Sequence, residues 1–183
     1  MAGTIYTIGH SNHPEELFFR LLDAHAIRTL ADVRAIPGSR RHAHFGRDAL
    51  TASCRAHGLT YRWMPELGGR RRSPKDRPSP HVAWEVAAFR AYADYMDTPE
   101  GAAALGELER EAAAAPTAFC CAEALWWQCH RRLIADRLTV RGWTVLHIDS
   151  GGHTRQHALP DFARVEGGRL VYDVGVTLEL PPS

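Results

Sequence analysis

Five short runs rich in β-branched and aromatic residues recur along this chain, each followed by turn chemistry and most by a helical repeat. They span 4–8, 28–33, 60–64, 117–121 and 143–148, and the helical repeats span 14–25, 47–57, 83–97, 99–114 and 125–141. In 14–25, Pro14, Glu15 and Glu16 suit a first turn, where proline loses no hydrogen bond and acids meet the positive end of the helix dipole. Leu17, Phe18, Leu21 and Leu22 then recur at helical spacing and form one apolar face. Strands alternating with helices of this length predict a three-layer α/β domain, with a mostly parallel sheet of about five strands flanked by helices. After Gly151 the pattern changes, and Arg164-Val165, Gly167-Gly168 and Leu170-Val171-Tyr172 predict a small C-terminal hairpin. One domain over 1–183 is expected, with a core over 1–150 and a C-terminal extension over 151–183.

Charge and cysteine usage narrow the function classes. Lys and Arg number 22 against 21 Asp and Glu, so net charge by itself points to no partner. No run approaches the roughly 18 apolar residues of a membrane helix, and the first residues lack a signal-peptide layout, so the expectation is a cytoplasmic chain with no membrane role. Cys54, Cys120, Cys121 and Cys129 are too few and too unevenly placed for a disulfide framework. The GxxxxGK[ST] and GxGxxG loops are missing, which disfavours P-loop and ordinary dinucleotide chemistry.

Ligands of open parallel sheets bind beyond the carboxyl ends of the strands. The residues following the runs are therefore the candidates: His10 and Ser11, then Arg34, then Gly68 and Gly69, then Cys121 and Glu123 with Cys129, His130 and Arg131, and finally His147 and Asp149. Each has a plainer reading. His10 and Ser11 fit a helix cap, Asp32 and Arg34 an internal ion pair, and Trp126 and Trp127 packing. One of Cys120 and Cys121 must face the core, because strand side chains alternate. The segment Cys121-x-Glu123-x5-Cys129-His130-Arg131 is the most informative, placing two thiols, a carboxylate, an imidazole and a guanidinium at a strand end and a helix start. There, free amides and the helix dipole lower a thiol pKa and attract anions. Cys121, Cys129 and His130 also suit zinc or another transition metal, although no paired Cys-x2-Cys spacing supports it and no cofactor is predicted.

Between Arg34 and Arg77 stand 11 basic and 3 acidic residues, a local charge of +8. That segregation suits phosphates or a nucleic-acid backbone, since Arg grips phosphate oxygens with paired donors. A solvated loop is the alternative, and no helix-turn-helix, zinc-finger or RNA-binding signature accompanies the charge.

Taken in order, Thr7-Ile8-Gly9-His10-Ser11, Asp32-Val33-Arg34-x2-Pro37-x-Ser39, Leu67-Gly68-Gly69, Phe89-x2-Tyr92-x2-Tyr95-Met96, the Cys121 to Arg131 segment and His147-Ile148 closely resemble the domain-of-unknown-function 488 family. The resemblance extends to the terminal segment ending in Leu170-Val171-Tyr172. It implies a three-layer α/β fold and places His10, Ser11, Arg34, Cys121, Glu123, Cys129, His130 and Arg131 in the shared motif set, but it brings no reaction.

These residues lead to an enzyme performing hydrolysis or group transfer on an anionic small molecule, nucleotide or nucleic acid. Arg34 and Arg131 are expected to hold the anion with Ser11, Gly68 and Gly69, and Glu123 to serve as general acid or base. Cys129 or Cys121 is the nucleophile, activated by His130 or His10. Two alternatives stand beside it: a non-catalytic nucleic-acid-binding or adaptor protein using Arg70, Arg71 and Arg72, and a Cys/His metal-binding protein.

Overall fold

A computed structural model describes residues 2–38 and 41–176. Ser39 of the quoted motif and residues 177–183 of the C-terminal extension lie outside the described residues. Strands β1 (Thr4–Gly9), β2 (Thr29–Asp32), β3 (Thr60–Trp63), β4 (Thr117–Cys121), β5 (Thr144–Ile148) and β6 (Thr154–Gln156) form one sheet in the order β3-β2-β4-β1-β5-β6. The first five are parallel, and β6 runs antiparallel to β5. Helices α1 (Glu15–Ala24), α2 (Arg47–Ala56), α3 (Ala87–Met96), α4 (Pro99–Ala114) and α5 (Arg131–Val140) connect the parallel strands. The α/β expectation holds, with β6 as an addition. Its three residues are polar and exposed, so no hydrophobic period marks it in the sequence.

Alternation along the strands builds two cores. Ile5, Ala31, Phe119, Cys121 and Val145 face the layer of α3, α4 and α5, where Tyr92, Leu105, Leu108, Leu133, Ile134 and Leu138 are buried. Ile8, Leu30, Ala118, Cys120 and Ile148 face α1 and α2, against Phe18, Leu22, Leu50 and Cys54. The two adjacent cysteines thus belong to opposite layers. Each fully buried Leu or Phe contributes about 1.5–3 kcal/mol of transfer free energy. Helix α4 starts where Thr98 Oγ1 accepts the Gly101 N–H at 3.1 Å and Pro99 fills the first turn.

Two predicted helices are shorter than their sequence patterns. Residues 83–86 are not helical and are held by the C-terminal hairpin, where the Ala83 N–H donates to the Tyr172 carbonyl at 2.9 Å. The 125–141 pattern divides into a 3-10 turn over Trp126–Gln128, an extended Cys129 with φ −126° and ψ 152°, and α5. Trp126 is fixed by stacking on His147 at 4.0 Å, and the extended residue turns the chain before the helix begins.

The hairpin of β7 (Ala163–Glu166) and β8 (Arg169–Tyr172) is a separate two-stranded sheet. Its two-residue turn needs φ of 57° and 79°, which Gly167 and Gly168 supply without strain. Leu170 and Tyr172 nevertheless enter the α3-side core, and the Tyr172 hydroxyl donates to Asp136 at 2.7 Å. Among the described residues, no helix is long and apolar enough to cross a membrane.

Candidate functional site

The sheet order makes β1 and β4 neighbours whose outgoing connections diverge. From β1 the chain passes through α1 to β2 on one side, and from β4 through α5 to β5 on the other. This divergence is the switch point where open α/β sheets bind ligands. His10 and Ser11 follow β1, and Ala122 and Glu123 follow β4. The pairing continues past the strands through the His10 N–H to the Cys121 carbonyl at 2.9 Å and the Ser11 N–H to the Ala122 carbonyl at 3.0 Å. Ser11 has φ of 47°, an uncommon conformation for a residue with a side chain. Gly9 leaves room for the returning loop, since a Cβ there would lie 2.0 Å from the Glu123 carbonyl oxygen.

Asp32 is fully buried and organises the β2 end. Its carboxylate accepts Arg34 Nε at 2.8 Å and Nη2 at 2.5 Å, the Arg34 N–H at 3.1 Å and the Tyr61 hydroxyl at 2.6 Å. Arg34 Nη2 also donates to the Phe45 carbonyl at 2.9 Å, and Nη1 to His10 Nε2 at 3.0 Å. Nη1 carries two hydrogens, and His10 is its one acceptor among the described residues. Arg34 is therefore mostly an internal ion-pair residue. Because His10 Nε2 accepts from a guanidinium, Nδ1 carries the proton and donates to the Ser11 carbonyl at 3.0 Å. Burial, reinforced by the Arg34 charge, pushes His10 down to about 4, so its imidazole is neutral at pH 7.

At the end of β4, Cys121, Cys129 and His130 meet, with one sulfur or ring-nitrogen atom from each within 4.8 Å of the others. His130 Nε2 donates to the Val33 carbonyl at 3.0 Å. That bond turns the Nδ1 lone pair toward the sulfurs, 3.5 Å from Cys129 Sγ and 4.0 Å from Cys121 Sγ. A hydrogen bond from the Cys121 thiol, aided by the Arg131 charge, holds Cys129 down to about 6. Donating that bond, together with burial, pushes Cys121 up to about 12.

Arg131 is not an anion grip. It is 1% exposed, with Nη1 on Thr7 Oγ1 at 3.0 Å and Nη2 on the Glu123 carbonyl at 2.6 Å. The guanidinium instead fixes the backbone of Glu123 and lends positive charge to Cys129. Gly68 and Gly69 are likewise packing positions. A Cβ on Gly68 would lie 2.7 Å from Ala35 Cβ, and one on Gly69 would lie 2.6 Å from His130 Nδ1.

A hollow at the β5 end of this edge has His147 and Asp149 in its wall, and two more open beside Arg34. One, of about 500 Å³, is lined by His10, Ser11, Asn12, His42 and Gln128 among others. The second, of about 340 Å³, has Gly69, Arg70, Cys121, Cys129 and His130 in its wall. Arg34 and Glu123 line both, so they mark where the hollows meet. The Glu123 side chain is exposed. Asn12, His42 and Gln128 were not among the sequence candidates, although each follows a strand or directly precedes Cys129. Asp136, His157 and His147 form a buried chain in the α5 layer, with His157 Nε2 on Asp136 Oδ1 at 2.7 Å and His147 Nε2 to His157 Nδ1 at 2.9 Å. Asp136 precedes His147 by 11 residues and His157 by 21, and no spacing rule reveals the chain.

The basic loop is partly spent on folding. Arg71 donates to the carbonyls of Gly68, Pro65 and Glu66 and lies 3.7 Å from the Tyr95 ring centroid. Arg70 and Arg72 are exposed, and Arg70 reaches the second hollow.

Gly69→Ala tests how tightly this edge is built. The added methyl must push His130 away from Val33 or displace the loop, at a cost of about 1–3 kcal/mol. The His130 ring resonances are expected to shift while the fold persists, as read by nitrogen-correlated NMR. Unchanged resonances would mean that the glycine loop yields instead.

Comparison with curated proteins and with solved structures gave no match. Residues 14–138 match the family model described as Domain of unknown function DUF488, a span that includes Arg34, Gly68, Gly69 and the whole Cys121 to Arg131 segment. With more than half of the chain inside that match, the protein belongs to the DUF488 family.

Proposed function

We propose that the cleft at the carboxyl ends of β1, β2 and β4 is an active site for hydrolysis or group transfer on an anionic substrate of the nucleotide or nucleic-acid class. One observation carries this reading: Glu123 and Arg34 stand together where the two hollows join, with the Cys129 and His130 pair in the wall. The exposed Glu123 carboxylate is the general acid or base, and Arg131 keeps its backbone in place. Arg34 orients the anion through Nη1, beside Ser11. The Cys129 and His130 wall supplies the nucleophile. The +8 segment from Arg34 to Arg77 supports an anionic substrate, and Arg70 brings that charge to the cleft.

The test uses p-nitrophenyl phosphate, bis(p-nitrophenyl) phosphate and p-nitrophenyl acetate for turnover, with inorganic phosphate as a binding probe. Glu123→Gln is expected to slow turnover by about 10²–10⁴-fold with phosphate affinity unchanged. Wild-type turnover in that variant would remove Glu123 from the reaction. Absence of both turnover and phosphate binding in the wild-type protein would overturn the reading.

A further inference from the structure

Among the described residues, Cys121, Cys129 and His130 are the one group of three His, Cys, Asp or Glu side chains gathered at metal-ligand spacing. In a tetrahedral zinc site with bonds of about 2.3 Å to sulfur and about 2.0–2.1 Å to nitrogen, ligand atoms stand about 3.5–3.8 Å apart. The sulfur to nitrogen separations of 3.5 and 4.0 Å are already close to that edge length. All three atoms lie within 4.8 Å of one another, so a contraction of the longest edge by at most about 1 Å would complete the geometry.

The imidazole is also prepared in the manner of a ligand. Its Nε2 hydrogen is engaged by the Val33 carbonyl at 3.0 Å, which fixes the tautomer, the ring plane and the direction of the Nδ1 lone pair. Gly69 permits that placement, because any side chain there would strike Nδ1. The three residues come from the end of β4 and the turn entering α5, both fixed by the sheet and by the Arg131 bonds to Thr7 and Glu123. The second hollow reaches all three.

We propose that Cys121 Sγ, Cys129 Sγ and His130 Nδ1 bind one soft divalent transition-metal ion of the zinc class, with the fourth coordination position open to the second hollow. Two thiolates and a neutral imidazole neutralise a divalent charge and select against magnesium and calcium, which prefer oxygen. Any thiol proton present is released to solvent on binding. An open position is the arrangement of catalytic rather than structural zinc sites, and it takes water or a substrate donor. An ion held there would occupy the Cys129 sulfur and the His130 Nδ1, so the metal-bound form would not use them as the thiol nucleophile of the proposed function, and only this consequence for the reaction rests on that reading. The binding site stands on the triangle itself.

The experiment is a titration of the intact, metal-stripped protein with Co²⁺, followed through the near-ultraviolet thiolate-to-metal band and the visible ligand-field bands, with elemental analysis of protein purified without chelator or affinity tag. One equivalent, a thiolate band and tetrahedral-type visible intensity are expected. Cys121→Ser and Cys129→Ser should each lose the one-equivalent break. Gly69→Ala, which keeps all three ligand residues but crowds His130 Nδ1, should weaken affinity by about 10–100-fold. Glu123→Gln should bind Co²⁺ as the wild-type protein does, which separates failure of the metal site from failure of the proposed acid–base role. Absence of a thiolate band in the folded wild-type protein would overturn the site, as would an unchanged titration in Cys121→Ser.

Discussion

Asp32→Ala is expected to lower unfolding free energy by about 3–5 kcal/mol, because it removes the counter-charge of a buried guanidinium. Asp32 is fully buried and Arg34 is 7% exposed, so water cannot take over from the carboxylate without the β2 end opening. The same substitution strips the Tyr61 hydroxyl and the Arg34 N–H of their acceptor. Tyr61→Phe, which removes one donor and leaves the ion pair, is expected to cost only about 1 kcal/mol. Urea unfolding of the two variants beside wild type reads the difference. Were Asp32→Ala to fall within 1 kcal/mol of wild type, Arg34 would have to leave the interior and the cleft would lose its organising cation.

That pair shows how far the sequence reaches. Asp32-Val33-Arg34 places both charges on one side of an extended chain, but spacing alone cannot decide between an internal bridge and a substrate contact. Burial decides it, and burial depends on Phe45 and Tyr61 arriving from elsewhere. The parallel strands were legible because their apolar runs repeat between helical patterns. Strand β6 was not, since a short polar edge strand carries no period. The convergence of His10, Arg34, Glu123, Cys129 and His130 followed from their positions after strands, a rule that needs topology but no distances. Arg131 escaped the same rule. A residue at the start of a helix looks available to an anion, and only the depth of Thr7 and the returning Glu123 carbonyl show that its donors point into the protein. Cys120 and Cys121 were ambiguous for a related reason: period-two alternation separates them but does not say which face holds the site.

Stability is expected to fall on acidification from pH 6.5, before the usual carboxylate range is reached. His10 and His147 are 2% and 3% exposed. Burial and Arg34 push His10 down to about 4, and burial with His157 and Arg131 pushes His147 down to about 2. In the unfolded chain both titrate near 6.5. Below that pH the unfolded state binds protons that the native state refuses, so the stability of the native state is full above pH 6.5 and is lost as pH falls. The His10 share is lost between about 6.5 and 4, whereas the His147 share continues to decline toward about 2. Each histidine contributes a slope approaching about 1.4 kcal/mol per pH unit, or roughly 3 kcal/mol apiece by pH 4. Urea unfolding at half-unit intervals from pH 7.5 to 4.5 should therefore show uptake of about two protons on unfolding near pH 5 from this pair. His147→Leu is expected to lower wild-type stability at pH 7.5 by breaking the bond to His157, yet to flatten the acid slope by about one proton. A variant with the wild-type slope, or a wild-type protein equally stable at pH 7 and pH 5, would show that His147 takes up its proton within the fold and that the Asp136, His157 and His147 chain accommodates the charge.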